Sequence, residues 1–287
     1  MPQSRARETA GRIIDVDAAL AHPEPAPGVH DFYRATIDAL ARAGAPFLVG
    51  GGYALRAITG VVRQSPDLDL FIRLTDRPRV EQVLREAGFE FVLPFKHWLG
   101  KVRQGERHID VIYNSGNGVA LVDDAWFDHA ISATMFGRPV SLCPVEEMIW
   151  SKAFVLERER CDIADVAHLI RACAEVLDWP RLLARFDRHW RVLLSQLVLF
   201  GFVYPDEAAL VPGWVMDDLV ARLQAESHVT RADDRRICQG TLLSREQYLI
   251  DVERWGYRDA RLGPKGTMRE SEVEVWTAAI AGRTPPG

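Results

Sequence analysis

Two aspartates in the segment Asp67 to Arg73, which reads DLDLFIR, are spaced to bind a shared ligand. The segment alternates polar and apolar residues, as a half-buried strand does. Asp67 and Asp69 therefore point to one face, while Leu68 and its apolar neighbours anchor the other. Carboxylate oxygens without nearby His or Cys ligands favour Mg²⁺, with Mn²⁺ as the alternative. The spacing predicts a divalent-metal site.

A third carboxylate, Asp110, lies in a later predicted strand, HIDVIY, between Ile109 and Val111. Burial of a carboxylate among apolar neighbours is costly unless a positive group meets it. Three carboxylates suit two-metal phosphoryl transfer, in which bridging acids hold ions that neutralise the attacking and leaving oxygens. Asp110 is the predicted third member of the site.

A glycine-rich turn follows a short apolar strand, FLV, and consists of Gly50, Gly51 and Gly52. Glycines let the backbone approach an anion closely, and the helix predicted from Tyr53 directs its positive end toward the same place. Arg63 and Ser65, just before the acid pair, are further candidate donors to phosphate oxygens. Alone, the glycines would indicate a tight turn and the acids a solvated pair. Their combined order favours a nucleotide site.

The segment GGGYALRAITGVVRQSPDLDLFI, followed by HIDVIY, resembles the nucleotidyltransferase superfamily related to DNA polymerase β. The resemblance implies that two of the glycines contact nucleotide phosphates and that Asp67 and Asp69 bind magnesium. It also implies that Asp110 completes the metal site and activates an acceptor hydroxyl. Because 14 residues separate Gly52 from Asp67, slightly more than usual, which two glycines do this stays open.

The segment WSKAFVLERERCDIADVAHLI resembles the lysine helix and D-x-x-D helix of abortive-infection-type toxin nucleotidyltransferases and antibiotic-modifying enzymes. The resemblance implies that Lys152 reaches the triphosphate. It also implies that Asp162 and Asp165 orient Lys152 or an arginine, Arg158 or Arg160, or contact the substrate. The alternative interpretation is a pair of amphipathic helices with charged outer faces.

The order of predicted elements indicates an α+β fold, with a small mixed β-sheet nucleotidyltransferase core and helices followed by a helical domain. Within the core we expect a hairpin at 131–142 turning at Gly137 and Arg138. In the tail we expect a helix over 244–255. The predicted divisions are an irregular lead-in at 1–28, a catalytic domain at 29–142, a helical domain at 143–228 and a C-terminal extension at 229–287.

Three arginines in the helical part, Arg181, Arg185 and Arg188, recur at helical spacing next to Trp190. Such a basic face can hold a phosphate-bearing acceptor such as tRNA. A solvated helix face is the other interpretation and the one the sequence favours.

The composition argues against several kinds of partner and site, namely long nucleic acid, membranes and zinc. A net charge of −5 and a pI near 5.9 argue against binding of long DNA or other long nucleic acid. No apolar stretch is long enough for a membrane span, and the N-terminus lacks a secretory signal, so we expect a cytoplasmic protein without membrane partners. The four cysteines form no C-x-x-C pair, and the histidines lack zinc-site spacing.

The sequence therefore predicts a magnesium-dependent enzyme that transfers an NMP from an NTP such as ATP to an acceptor hydroxyl, releasing pyrophosphate. The acceptor stays open among a small molecule, a protein and tRNA, the latter two in a toxin-like role. A non-catalytic NTP-binding or interaction protein on the same fold is the alternative.

Overall fold

The computed structural model describes residues 13–19, 28–62, 67–227 and 236–279. These residues divide into two compact units. The first, called here the sheet unit, holds residues 13–144 and Glu270–Trp276. The second, called the helical unit, holds described residues of Val145–Arg269 and residues 277–279. The functional domain boundaries expected from the sequence stay a prediction.

The strands of the sheet unit are β1 (Ile14–Asp15), β2 (Leu48–Val49), β3 (Leu68–Phe71), β4 (Glu90–Phe95), β5 (Leu99–Gln104), β6 (Arg107–Ile112), β7 (Ile131–Met135) and β8 (Arg138–Leu142). Its helices are α1 (Val16–Ala19), α2 (Val29–Arg42), α3 (Gly51–Thr59), α4 (Arg77–Glu86) and α5 (Asp124–Asp128), with a 3₁₀ turn at Leu74–Asp76. All strands join one mixed sheet in the order β1-β7-β8-β2-β3-β6-β5-β4. The predicted α+β class with a mixed sheet is confirmed.

The centre of this sheet is built from β2, β3 and β6. β2 runs antiparallel to β3, whereas β3 and β6 run parallel, with Leu70 beside Val111. Both of these side chains are fully buried, as the alternating pattern of the two strands requires. The opposite face of the same strands is left for the aspartates.

Helix α2 covers part of the sheet with an apolar stripe. Its Phe32, Ile37 and Leu40 are almost completely buried, in agreement with the helical spacing of these residues. The helix carries Tyr33 on the same buried side, and the Tyr33 ring meets that of Tyr53 edge to face at 6.0 Å between centroids. The helix therefore places aromatic side chains beneath the glycine turn.

The helical unit comprises α6 (Val145–Lys152), α7 (Ile163–Cys173), α8 (Trp179–Phe186), α9 (Trp190–Val203), α10 (Gly213–Ser227) and α11 (Leu249–Glu253). Short 3₁₀ segments occur at Asp187–His189, Pro205–Leu210 and Gly240–Leu242, and a parallel strand pair joins β9 (Ile237–Cys238) to β10 (Arg258–Asp259). Helix α12 (Glu270–Ala278) follows at the end of the described chain. The prediction of helices after Pro144 is confirmed. In the described residues, no helix is long and apolar enough to cross a membrane.

Three local predictions were wrong. Residues 14–19, placed in the irregular lead-in, contain β1 and α1, and β1 pairs with β7 because a sheet edge accepts even a two-residue strand. The hairpin turns at Phe136 and Gly137, both with positive φ, so Arg138 already belongs to β8. The helix expected over 244–255 is limited to α11, because residues 240–248 form 3₁₀ and turn structure.

Candidate active site

Two of the predicted carboxylates are neighbours across the parallel pair β3 and β6. Asp69 and Asp110 are paired in register, so their side chains share one face of the sheet. Asp67 lies just before β3, and it reaches the same side because His108 Nε2 is within 3.2 Å of Asp67 Oδ2 and within 4.0 Å of Asp110 Oδ1. The structure thus brings the three predicted acids onto one surface, called here the aspartate face. Their roles stay predictions.

Two basic side chains contact the aspartate face. Lys101 stands opposite Asp110 in the antiparallel pair β5 and β6, and its Nζ is 2.7 Å from Asp110 Oδ1. The Nε2 atom of His108 lies 3.2 Å from Asp67 Oδ2 and 4.0 Å from Asp110 Oδ1. Only 20% of the Asp110 side chain is exposed, so it requires a positive partner. Lys101 supplies that partner.

Gly51 is held directly against Asp69. Its φ is +54°, and an added Cβ would lie 1.6 Å from Asp69 Oδ2. Gly50, which ends the connection from β2, donates its N–H to the Asp69 carbonyl oxygen at 3.0 Å. A Cβ on Gly50 would meet the Phe71 ring at 2.3 Å. Both positions therefore require glycine, and they tie the turn to the strand that carries the acids.

Helix α3 begins at this turn, with Gly51 and Gly52 as its first residues. The N-cap residue, Gly50, has no side chain with which to cap the helix, and backbone N–H groups at a helix N-terminus are suited to an anionic ligand. The structure therefore places a potential anion-binding element against Asp69, in agreement with the glycine prediction. Which glycines contact phosphate stays a prediction.

Two tyrosines lie close enough to the acids to feel their charge. Burial raises the pKa of Tyr53 to about 12, and the charges of Asp67 and Asp69 act in the same direction. Burial also raises the pKa of Tyr33, with further contributions from Tyr53 and Asp67. Both phenols therefore stay protonated near neutral pH and can donate hydrogen bonds.

The residues of the aspartate face fit a divalent metal by their donor chemistry. Carboxylate oxygens are the ligands that Mg²⁺ prefers, and the Lys101 ammonium already occupies a cation position at Asp110 Oδ1. In their present side-chain positions, no three His, Cys, Asp or Glu residues of the described chain form a group that could hold an ion. The residues that would hold it are Asp67, Asp69 and Asp110, after movement of Lys101.

In the helical unit, Lys152 is bound by the two aspartates that the sequence associated with it. Its Nζ donates to Asp162 Oδ2 at 2.9 Å and to Asp165 Oδ2 at 2.8 Å. Arg160, rather than Arg158, also binds Asp162, with Nη2 to Oδ2 at 2.9 Å. Burial acts to raise the pKa of Asp162, but the Arg160 hydrogen bond and the Lys152 charge outweigh it and lower the pKa. The structure therefore brings Lys152 together with Asp162 and Asp165, and the roles of the three side chains stay predictions.

Both interpretations of the three arginines, a solvated face and a phosphate site, are wrong for Arg181 and Arg185. Arg181 Nη1 lies 2.5 Å from Glu147 Oε1, and Arg185 Nε lies 2.9 Å from the same oxygen. Arg181 also binds Glu146, and the Glu147 side chain is completely buried. These arginines neutralise glutamates of α6 and are neither a solvated face nor a free phosphate site. The sequence spacing could not reveal partners on another helix.

Arg188 differs from them because it is exposed. It lines a cavity of about 510 Å³ together with Trp190, Arg191 and Lys265. A phosphate-bearing ligand at Arg188 therefore stays a prediction. Arg63 and Ser65 lie outside the described residues, so their predicted phosphate contacts also stay predictions.

A family described as an uncharacterised nucleotidyltransferase matches residues 33–199, more than half of the 287-residue chain. The chain belongs to this family. The matched region of the nucleotidyltransferase includes the aspartate face, the glycine turn and the Lys152 segment. The resemblance to nucleotidyltransferases noted in the sequence is therefore confirmed.

A search of curated proteins found no match. Among solved structures, the antibiotic-resistance factor ANT(2'')-Ia is 19% identical, with 69% of this chain and 95% of that chain covered and a TM-score of 0.33. The lincosamide antibiotic adenylyltransferase LnuA is 16% identical, with coverage of 50% and 96% and a TM-score of 0.36. An antigenic nucleotidyltransferase-like protein from Paracoccidioides brasiliensis is 16% identical, with coverage of 63% and 91% and a TM-score of 0.41.

Four side chains at the site of this nucleotidyltransferase were missed in the sequence: Lys101, His108, Tyr33 and Tyr53. In the structure, antiparallel pairing of β5 with β6 puts Lys101 opposite Asp110, so a hairpin predicted over 99–112 would have found this contact. The tyrosines carry no comparable signal, because buried aromatic residues are ordinary components of a core.

Proposed function

We propose that this nucleotidyltransferase is magnesium-dependent and transfers an NMP from an NTP to an acceptor hydroxyl, with release of pyrophosphate. The single observation that carries the proposal is the in-register pairing of Asp69 with Asp110, beside a glycine turn packed on Asp69. This arrangement joins an anion-binding backbone to paired oxygen ligands. Phosphoryl transfer needs both of these elements.

The glycine turn is the proposed site of the triphosphate. The first N–H groups of α3 would face phosphate oxygens, and the close packing of Gly51 on Asp69 would keep a phosphate bound there beside the acid. Arg63 and Ser65 would add donors. Lys152 would contact the triphosphate after exchanging a bond to Asp162 or Asp165 for one to phosphate.

Asp110 is the proposed acceptor of the hydroxyl proton. The acceptor oxygen forms a bond to the α-phosphorus, the bond from that phosphorus to the bridging oxygen breaks, and pyrophosphate leaves. Bound Mg²⁺, or Mn²⁺ in its place, would neutralise the phosphate charge in this reaction. Asp67 and Asp69 would hold the metal, and the strand pair keeps Asp69 aligned with Asp110. The contribution of the chain is positioning and charge.

The acceptor class is the open part of the proposal. The acidic net charge of −5 favours a small molecule or a protein over tRNA. A cytoplasmic location and a toxin-like or resistance role belong to the same proposal.

The test is transfer of label from each α-³²P-labelled NTP, with Mg²⁺ or Mn²⁺, to RNA, protein and small hydroxylated fractions. We expect one fraction to acquire label with stoichiometric pyrophosphate release. Asp69→Asn should abolish both signals without changing the far-ultraviolet circular dichroism. Asp128→Asn, which changes an exposed acid of the same unit, is the matched control. Near-normal transfer by Asp69→Asn would refute the proposed site.

The alternative is a non-catalytic NTP-binding protein on the same fold. This alternative predicts that titration calorimetry detects binding of NTP and Mg²⁺, while a pyrophosphate assay detects no release with any acceptor. Asp67, Asp69 and Asp110 are all present, which favours the enzyme.

A further inference from the structure

The Lys101 ammonium lies where a metal ion would approach Asp110. Its Nζ is 2.7 Å from Asp110 Oδ1, and the register of β5 and β6 places the two residues directly opposite each other. Both side chains are largely buried, with 22% and 20% of their surfaces exposed. This contact is therefore a property of the sheet itself and not an incidental surface pair.

Lys101 and a metal ion cannot both bind this oxygen closely. A Mg²⁺ ligand oxygen lies about 2.0–2.1 Å from the ion, whereas the ammonium is already at hydrogen-bond distance. Two cations on one carboxylate oxygen repel each other strongly in a partly buried site. Binding of metal through Asp110 Oδ1 therefore requires departure of the ammonium.

The chain allows this departure without a change in the sheet. The Lys101 backbone is fixed by its pairing with Asp110 on one side and Val92 on the other. Its four-carbon stem is flexible, so the ammonium can move while the strand stays paired. The movement costs one partly buried ion pair, the contact of Lys101 Nζ with Asp110 Oδ1.

We propose that Lys101 is a built-in counter-ion that competes with the divalent metal for Asp110. It keeps the buried carboxylate neutralised when metal is absent, and it lowers the affinity of the site for metal alone. This inference rests on the proposed function, because it takes Asp110 as a metal ligand. Lys101 is a positioning residue in this scheme, since it acts through Asp110.

The test measures binding of Mn²⁺ alone, without nucleotide, by electron paramagnetic resonance of the free ion. Lys101→Met should bind Mn²⁺ about tenfold more tightly than the wild type, because one partly buried ion pair no longer competes with the metal. Lys101→Arg keeps the charge and should stay within about twofold of the wild type on the same scale. Lys96→Met removes an exposed charge of the same unit and is the matched control. Unchanged or weaker binding by Lys101→Met overturns the proposal.

Asp110→Asn distinguishes the counter-ion role of Lys101 from the metal-ligand role of Asp110. It should weaken Mn²⁺ binding at least tenfold on the same scale. If it does so while Lys101→Met binds like the wild type, the counter-ion proposal alone fails. If Asp110→Asn leaves Mn²⁺ affinity unchanged, the metal role of Asp110 fails, and with it this part of the proposed function.

A second measurement uses the wild-type protein and does not depend on the folding of a variant. The chain has four lysines: Lys96, Lys101, Lys152 and Lys265. Acylation followed by mass spectrometry should show faster modification of Lys101 when Mn²⁺ is present, because the ammonium leaves Asp110. The exposed Lys96 and Lys265 should be unaffected. No increase at Lys101 under saturating Mn²⁺ overturns the proposal.

Discussion

Gly51→Ala is the substitution whose cost can be worked out most directly from the structure. The φ of Gly51 is +54°, and a Cβ there would lie 1.6 Å from Oδ2 and 2.6 Å from Cγ of Asp69. A left-handed backbone costs an L-residue about 1–2 kcal/mol. Overpacking against a fixed neighbour adds about 1–3 kcal/mol. We expect a total loss of about 2–5 kcal/mol in the free energy of unfolding, the sum of these two contributions.

Gly105→Ala supplies a matched control. Gly105 has a φ of +61° in the turn between β5 and β6, and no atom of the described chain lies within 4 Å of its Cβ position. Only the cost of the left-handed backbone applies at Gly105, so the expected loss in the free energy of unfolding is about 1–2 kcal/mol. The difference between the two variants isolates the contact of Gly51 with Asp69. Urea unfolding followed by circular dichroism measures it.

Gly51→Ala also tests the link between the glycine turn and catalysis. Displacement of the Asp69 carboxylate by about 1 Å should lower nucleotide transfer by about 100-fold. In an Asp69→Gly background the Gly51→Ala change should cost about 1–2 kcal/mol, because Oδ2, Cγ and Cβ of residue 69 are all gone. Equal stability losses at Gly51 and Gly105, with full transfer activity in Gly51→Ala, would refute this reasoning.

Two further predictions concern the helical unit. Glu147→Gln should lower the free energy of unfolding by about 3–5 kcal/mol, because Arg181 and Arg185 both lose the completely buried carboxylate that they share. Glu207→Gln, which alters the exposed pair with Arg171, should cost less than about 1 kcal/mol in the same urea titration. The pKa of Asp162 is lower in the folded protein. Burial alone would raise this pKa, but Arg160 and Lys152 lower it by more. The resulting stabilisation is present above the ordinary carboxyl pKa of about 4 and is lost as pH falls through the lowered value. Asp162→Asn should therefore flatten the acid side of a plot of melting temperature against pH, and an unchanged slope would contradict this.

Much of the sheet unit could be predicted because its signals are local. The alternation in DLDLFIR and HIDVIY assigned each aspartate to the face opposite buried Leu68 and Ile109, and the structure has them there. The sequence suggested one role for Gly51, which is to let the backbone approach an anion closely. The structure adds a steric reason, since Asp69 occupies the space that a side chain would need.

The helical unit was less predictable because its decisive contacts join residues far apart in the chain. Arg181 and Glu147 are 34 residues apart, and the spacing of arginines along one helix contains no information about a glutamate on another. Lys152 and Asp165 were an easier case, since their segment resembled a known arrangement. The β1 strand was missed because two residues are too few to show a period.

Asp69, Asp110 and Lys101 form a row of charged side chains across β3, β6 and β5. Their positions are set by the apolar residues that alternate with them along each strand. A slip of β6 by one residue would bring Val111 beside Asp69 and turn Asp110 toward the core. Burial of Ile109 and Val111 forbids that slip, and burial of Val102 fixes β5 in the same way. Asp69, Asp110 and Lys101 therefore lie side by side because the opposite face is apolar, and not because their charges attract. It follows that removal of the Lys101 charge should alter the affinity of the face for cations while the strand register is kept.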